Sequence, residues 1–345
     1  TPNTLTLSAF SHAYHETVSD VHTFTPHIQL HWCETLLRAS QTPSFVEHYT
    51  INAEPLPRTL TPAECERNAH IMQEHALKVL NKLARLECPG AHYLLGCLYS
   101  HRVALGQPVP WRLPRPQDIV ARDDAAALRH YCAAARLGHG DAAYRAGASY
   151  EYCRGVSEAQ PAEALRWYTV GASPPASMPA CMYKVGLLEG SAAWLERAFQ
   201  AGSSQAGQEL GRLAEARAEA QRSSAGGQWA TAQAQREWAT ALHWYQAVGL
   251  RGYAPAQLRL GQAYERGECG LPVCARRSVA WYYTAAQGGS ALAMLALAGW
   301  FLTGATGLFR GDRAVALEWA QRAWEVSGGR LERAGKLLQL LHKDS

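Results

Sequence analysis

Two short strings recur in step along this chain, and that recurrence constrains its fold more than any other property of the sequence. The first is Ala256-Gln-Leu-Arg-Leu260-Gly261-Gln-Ala-Tyr264. It returns as Ala91-His-Tyr-Leu-Leu95-Gly96-Cys-Leu-Tyr99 and as Ala142-Ala-Tyr-Arg-Ala146-Gly147-Ala-Ser-Tyr150. Further copies centre on Gly186 and Gly211, and in a sixth Ala298 replaces the glycine. The second string follows most of these as Ala127-Leu-Arg-His130-Tyr131, Ala164-Leu-Arg-Trp167-Tyr168, Ala241-Leu-His-Trp244-Tyr245, Ser278-Val-Ala-Trp281-Tyr282 and Ala316-Leu-Glu-Trp319, with a weaker copy at Ser191-Ala-Ala-Trp194. The marker glycines and Ala298 stand 51, 39, 25, 50 and 37 residues apart. His130 and the tryptophans stand 37, 27, 50, 37 and 38 apart. Two markers that drift together over six copies define a repeat protein.

Both strings have helical spacing. In the first, Ala, Leu and Tyr fall at i, i+4 and i+8, one face of a 3.6-residue period. The adjacent glycine removes bulk and lets a partner helix approach. In the second, Leu165, Tyr168 and Ala172 share a face, as do Leu242, Tyr245 and Gly249. Gly138, Gly171, Gly202, Gly249 and Gly288 are expected to end these helices in the left-handed conformation. A helix pair of this kind cannot bury its apolar face alone, so stacking of copies supplies the core. The fold class is therefore all-α: a right-handed superhelical α-solenoid of about six helix-pair repeats. Two insertions interrupt it. Pro108, Pro110, Pro114 and Pro116 predict an extended connector. The Ala/Gln/Ser stretch from Gln221 to Gln235, broken by Gly226-Gly227, predicts two lengthened helices.

Ahead of the repeats, His27 to Tyr49 reads as one amphipathic helix with Ile28, Trp32 and Leu36 on one side. Thr61-Pro62-Ala-Glu64 is a capping box that opens a long helix to about Arg85. That helix resembles the second half of a degenerate leading repeat. The expected organisation is an extension over residues 1–26, capping helices over 27–86, repeats over 87–326 and a C-terminal capping helix over 327–345.

Catalytic patterns are missing. The sequence has no Gly-x-Ser-x-Gly, no phosphate-cradling glycine loop and no His-Glu-x-x-His. His27 and His31 lack further ligands, and Cys269 and Cys274 lack a second pair. No enzyme activity, cofactor or metal is expected. With 33 Lys+Arg against 29 Asp+Glu, nothing points to nucleic acid or to a polybasic membrane surface. The longest apolar run, Ala291 to Leu302, falls short of the roughly 18 residues that span a bilayer. Nine cysteines at irregular spacing read as reduced thiols of a cytosolic or nuclear protein. An opening at Thr1, without initiator methionine or signal pattern, reads as an excised domain.

Function is expected instead on a surface. In tetratricopeptide geometry the position three before the marker glycine lines the concave face. It holds Tyr93, Tyr144, Tyr183, Gln208, Leu258 and Leu295 here. Four after the glycine come Ser100, Glu151, Gly190, Glu215, Glu265 and Leu302. Tyr93, Tyr144, Glu151, Tyr183, Gln208, Leu258 and Glu265 are the candidate partner-binding residues, since tyrosine combines area with a polar tip. The alternative for the tyrosines is packing between neighbouring repeats.

The paired strings resemble the Sel-one-like repeat, a relative of the tetratricopeptide repeat. A narrower resemblance rests on Asn52-Ala-Glu-Pro-Leu-Pro-Arg-Thr-Leu-Thr-Pro-Ala-Glu64, Glu74-His-Ala-Leu-Lys78, Leu95-Gly-Cys-Leu-Tyr-Ser-His101, Pro179-Ala-Cys-Met-Tyr-Lys184, Tyr253-Ala-Pro-Ala-Gln257, Ala275-Arg-Arg-Ser-Val-Ala-Trp-Tyr282 and Gly299-Trp-Phe-Leu-Thr-Gly304. These segments are similar, in order, to the fungal activator proteins of chitin synthase. The resemblance implies a non-catalytic subunit that binds and activates a membrane-embedded chitin synthase from the cytosolic side. It also implies anchoring of the synthase at the septum or bud neck, in some members through septin-linked scaffolds. Membrane association would then be peripheral, through the synthase. Some members end in a prenylation box, whereas His342-Lys-Asp-Ser345 has no terminal cysteine. A generic repeat adaptor for another membrane complex, such as a ubiquitin ligase of protein degradation, is the alternative reading.

Overall fold

The structure, a computed structural model, describes residues 5–101, 120–224 and 232–343. These form seventeen α-helices among the described residues, with two isolated β-bridges, Tyr49 to Pro55 and Ala305 to Phe309. The chain divides into two compact units, Thr1–Glu189 and Gly190–Ser345. The prolines at 108, 110, 114 and 116 and Gly226-Gly227 lie outside the described residues.

The first unit opens with α1 (Leu7–Ser19), α2 (Pro26–Ala39), α3 (Pro43–His48) and α4 (Pro62–Arg85). Segment 1–26 thus carries a helix. Its Phe10 is fully buried and stacks on Trp32 of α2 with ring centroids 5.6 Å apart. The expected single helix from His27 to Tyr49 is instead split into α2 and α3. Pro43 lacks an N–H and disfavours helical geometry at the preceding residue, and Thr42 is extended (φ −105, ψ 109). The capping box at Thr61 forms as its sequence predicts: the Thr61 backbone N–H donates to Glu64 Oε2 over 2.9 Å, and the helix runs to Arg85. Helix α4 packs on α2, and Leu36, Met72, Leu80 and Leu83 make a core that continues to Leu95.

Hairpins follow. In the first unit they are α5 (Pro89–Tyr99) with α6 (Asp124–Arg136), then α7 (Gly140–Glu151) with α8 (Pro161–Ala172), then α9 (Pro179–Glu189). The second unit begins at α10 (Ala192–Gln200) and pairs α11 (Ser204–Ser224) with α12 (Ala232–Leu250). It continues with α13 (Ala254–Arg266) on α14 (Ala275–Gln287) and α15 (Ala291–Thr303) on α16 (Arg313–Val326), and ends in α17 (Glu332–Lys343) on α16. Within each unit every helix packs on its sequence neighbours, the nearest-neighbour pattern of a solenoid. Helices α11 and α12 are long, as the inserted Ala/Gln/Ser stretch predicts.

Three expected helix stops fall elsewhere. Gly138 and Gly202 do adopt positive φ (89° and 104°), but beyond α12 and α14 the left-handed residues are Gly252 and Gly289. Gly171 and Gly249 are helical and serve packing instead. A Cβ on Gly171 would lie 2.5 Å from Cys181 Sγ, and one on Gly249 3.3 Å from a Leu260 methyl.

Candidate functional site

At four of the five marker glycines a tyrosine ring lies across the backbone and leaves no room for a side chain. A Cβ would stand 2.6 Å from the Tyr131 ring at Gly96, 2.7 Å from Tyr168 at Gly147, 2.6 Å from Tyr245 at Gly211 and 2.6 Å from Tyr282 at Gly261. Each ring belongs to the second helix of its own hairpin and is buried. Burying the ring leaves a phenol hydroxyl that needs a partner. The partner sits one helical turn beyond the glycine. Tyr168 Oη donates to Glu151 Oε2 over 2.6 Å, Tyr245 Oη to Glu215 Oε2 over 2.8 Å, and Tyr282 Oη to Glu265 Oε2 over 2.5 Å. In the first hairpin Tyr131 Oη and Ser100 Oγ share a hydrogen bond of 2.8 Å. Copies without the tyrosine lack the acceptor as well: Leu195 goes with Gly190, and Ala320 with Leu302.

A cation from the next repeat completes two of these contacts. Lys184, two residues before Gly186, donates to both oxygens of Glu151 at 2.9 Å and to Tyr152 Oη at 3.2 Å. Arg259, two before Gly261, grips Glu215 through Nε at 3.2 Å and through Nη2, and its Nη1 donates to Glu268 at 2.7 Å. Burial alone would push both carboxyls up. Hydrogen bonds from Tyr168 and Lys184 outweigh it at Glu151, and those from Arg259 and Tyr245 outweigh it at Glu215, so both titrate below the ordinary carboxylate value. Burial and the bond to a carboxylate raise the pKa of Tyr168, Tyr245 and Tyr282, which keeps these hydroxyls as donors.

The candidate surface residues therefore differ in what occupies them. In the first unit, Tyr93 is buried and stacks on His139 with centroids 4.4 Å apart. Tyr144 is half-buried with its ring 5.7 Å from that of Tyr168, Tyr183 is half-buried, and Glu151 is held by Tyr168 and Lys184. In the second unit, Gln208 and Leu258 are half-buried, and Leu258 packs against the cluster around Tyr282 and Leu297. Glu265 is half-buried and accepts from Tyr282. The Tyr–Glu–cation linkage escaped the sequence reading, although the joint loss of tyrosine and acceptor in two copies was a visible signal.

Among the described residues no group of three His, Cys, Asp or Glu is placed to hold a metal ion, and no helix is long and apolar enough to cross a membrane. His92 and His130 face each other with Nδ1 atoms 3.0 Å apart. Burial, helped by the neighbouring His92 and Arg129, lowers the His130 pKa to about 4.

Stacked hairpins held by a glycine–tyrosine seam define a class, helical repeat proteins, and this chain carries Sel1 repeats. The Sel1 repeat profile matches residues 116–139, 140–173, 254–290 and 291–324. The fold is shared with a Sel1 repeat protein from Oxalobacter formigenes (23% identity, TM-score 0.53, 75% of this chain and 96% of that one). Among curated relatives, Activator of C kinase protein 1 of Saccharomyces cerevisiae is 38% identical over 352 residues, 94% of this chain and 55% of its own length. Chitin synthase regulatory factor 3 of Schizosaccharomyces pombe is 42% identical over 79 residues, 23% of this chain and 8% of that protein. Chitin synthase regulator SKT5 of Saccharomyces cerevisiae is 36% identical over 83 residues, 24% of this chain and 12% of that protein. The resemblance to chitin synthase regulators is thus borne out over part of the chain. The chain spans about half the length of the first of these relatives and a small part of the other two.

Proposed function

We propose that this chain is a non-catalytic regulatory scaffold that binds an enzyme and raises its activity, the first target being a chitin synthase. The observation that carries this reading is the pairing of a Sel1-repeat body with relatives named for chitin synthase regulation. In this reading the synthase is held from the cytosolic side at the septum or bud neck, in concert with septin-associated scaffolds, and the chain reaches the membrane only through it. Each unit offers its own candidate contact residues, Tyr144 and Tyr183 in the first and Gln208, Leu258 and Glu265 in the second. Tyr93 and Glu151 contribute less, since Tyr93 is buried and Glu151 is already held by Tyr168 and Lys184.

The test is capture of detergent-solubilised chitin synthase by the purified chain, together with septal chitin measured after gene deletion. Synthase is expected in the captured fraction, and Tyr144→Ala with Tyr183→Ala should weaken capture about tenfold at unchanged helicity. Unchanged septal chitin with no capture would remove this target. A second reading is favoured by the extent of one match: the relative aligned over 94% of the chain is named for activating a C kinase. Kinase activity assayed with and without the chain separates the two targets.

A further inference from the structure

The repeat supplies its own cation to the tyrosine-bonded glutamate at two places and omits it at a third. Glu151 receives Lys184, and Glu215 receives Arg259, each from the position two before the next marker. For Glu265 the corresponding residue on α15 is Ala296, two before Ala298. Glu265 is nonetheless built like the other two, four residues after Gly261 and bonded to the buried Tyr282 at 2.5 Å. Among the described residues no cation reaches it. The adjacent Arg266 turns to Glu268, at 3.4 Å, and Arg277 donates to Tyr264 Oη at 3.2 Å. Ala296 is half-buried, and Leu292, one turn earlier on the same face of α15, is 51% exposed.

We propose that Glu265 is a receptor for an arginine side chain of a bound protein partner, its guanidinium occupying the place that Arg259 fills against Glu215. The chemistry is read from the chain's own precedent. A guanidinium forks onto both carboxylate oxygens, and the tyrosine hydroxyl fixes the carboxylate so that little freedom is lost when the cation arrives. The methyl of Ala296 leaves room for the incoming stem, and Leu292 offers an aliphatic surface to a neighbouring apolar residue of the partner. The partner segment is therefore an arginine flanked by aliphatic side chains. This inference rests on the reading of the chain as a binding scaffold and adds to it a site and a ligand chemistry.

The probe is the peptide acetyl-Leu-Arg-Leu-Leu-amide titrated onto the full chain, against the same peptide with citrulline in place of arginine. The arginine peptide should bind about tenfold more tightly. Glu265→Gln, which keeps an acceptor for Tyr282, should abolish that preference. Ala296→Arg, which restores the cation seen in the other repeats, should block the peptide at an unchanged or raised melting temperature. The second variant decides the matter if the first unfolds. Equal affinity for the two peptides, no binding at millimolar peptide, or a preference that survives Ala296→Arg would overturn the proposal. Enzyme capture by the wild-type chain reports separately on the scaffold reading. Capture without peptide preference sinks only the receptor, and peptide preference without capture sinks only the proposed target.

Discussion

At Gly147 a single added methyl would meet the Tyr168 ring at 2.7 Å, closer than carbon atoms approach one another. The ring is fully buried and tied to Glu151, so it cannot swing away. Gly147→Ala is therefore expected to destabilise the first unit by about 1–3 kcal/mol, the usual cost of overpacking. Gly299 provides the contrast. It lies within α15 with nothing inside 4 Å of an added Cβ, so Gly299→Ala should stabilise by about 0.5–1 kcal/mol through backbone entropy alone. Urea denaturation of the two variants checks both signs. A destabilised Gly299→Ala or a neutral Gly147→Ala would show that the seam is not set by contact distance. The glycine was legible as a marker, but only the structure shows which of two glycines in similar helices is required.

Between neighbouring helices the Tyr–Glu–cation linkage adds directional contacts to apolar burial. Lys184 and Glu151 keep only 15% and 23% side-chain exposure, so their attraction is not fully screened. A double-mutant cycle of Glu215→Gln and Arg259→Leu should give a coupling of about 1–3 kcal/mol. These carboxyls are held below their ordinary value, so the stability they add is complete above about pH 5 and is lost as the pH falls through their folded values. The histidine pair acts in a higher window. His130 is lowered from an ordinary 6.5 to about 4, so the unfolded chain takes up the proton first and stability falls as the pH drops from 6.5 towards 4. His130→Gln should flatten that loss in the first unit between pH 6.5 and 5, as measured by urea midpoints at the two pH values. An unchanged slope would mean that the proton is accommodated without cost.

At the scale of the whole chain, each helix depends on its neighbours within its unit to cover it. Helix α17 covers the last hairpin of the second unit. Leu341 is buried with Ala298 and Ala320, and Leu337 and Leu338 pack against the same cluster. Truncation after Gly329 should strip hydrogen-exchange protection from α15 and α16 and leave α5 to α8 unaffected, because solenoid contacts are local. Loss of protection throughout would mean that the chain melts as one cooperative body. At the opposite end, Phe10 and Ala13 place α1 inside the core of α2 and α4. Nothing periodic in residues 1–26 announced that role, since one helix outside the repeats has no second copy to be recognised by.

Local pattern determined the helix pairs, their order, the capping box at Thr61 and the repeat class, because 3.6-residue spacing and six-fold recurrence are written along the chain itself. Tertiary structure alone decided what the polar tips meet. A residue four places after a marker glycine lies on the same helix face in every repeat. Whether it is exposed, bonded to a buried phenol or clasped by a cation depends on side chains 17 to 30 residues away on the partner helix or on the next hairpin. That is why Glu151, Glu215 and Glu265 look alike in sequence and differ in the fold. Two are satisfied by the chain's own cations, and among the described residues the third is met by its tyrosine and by no cation.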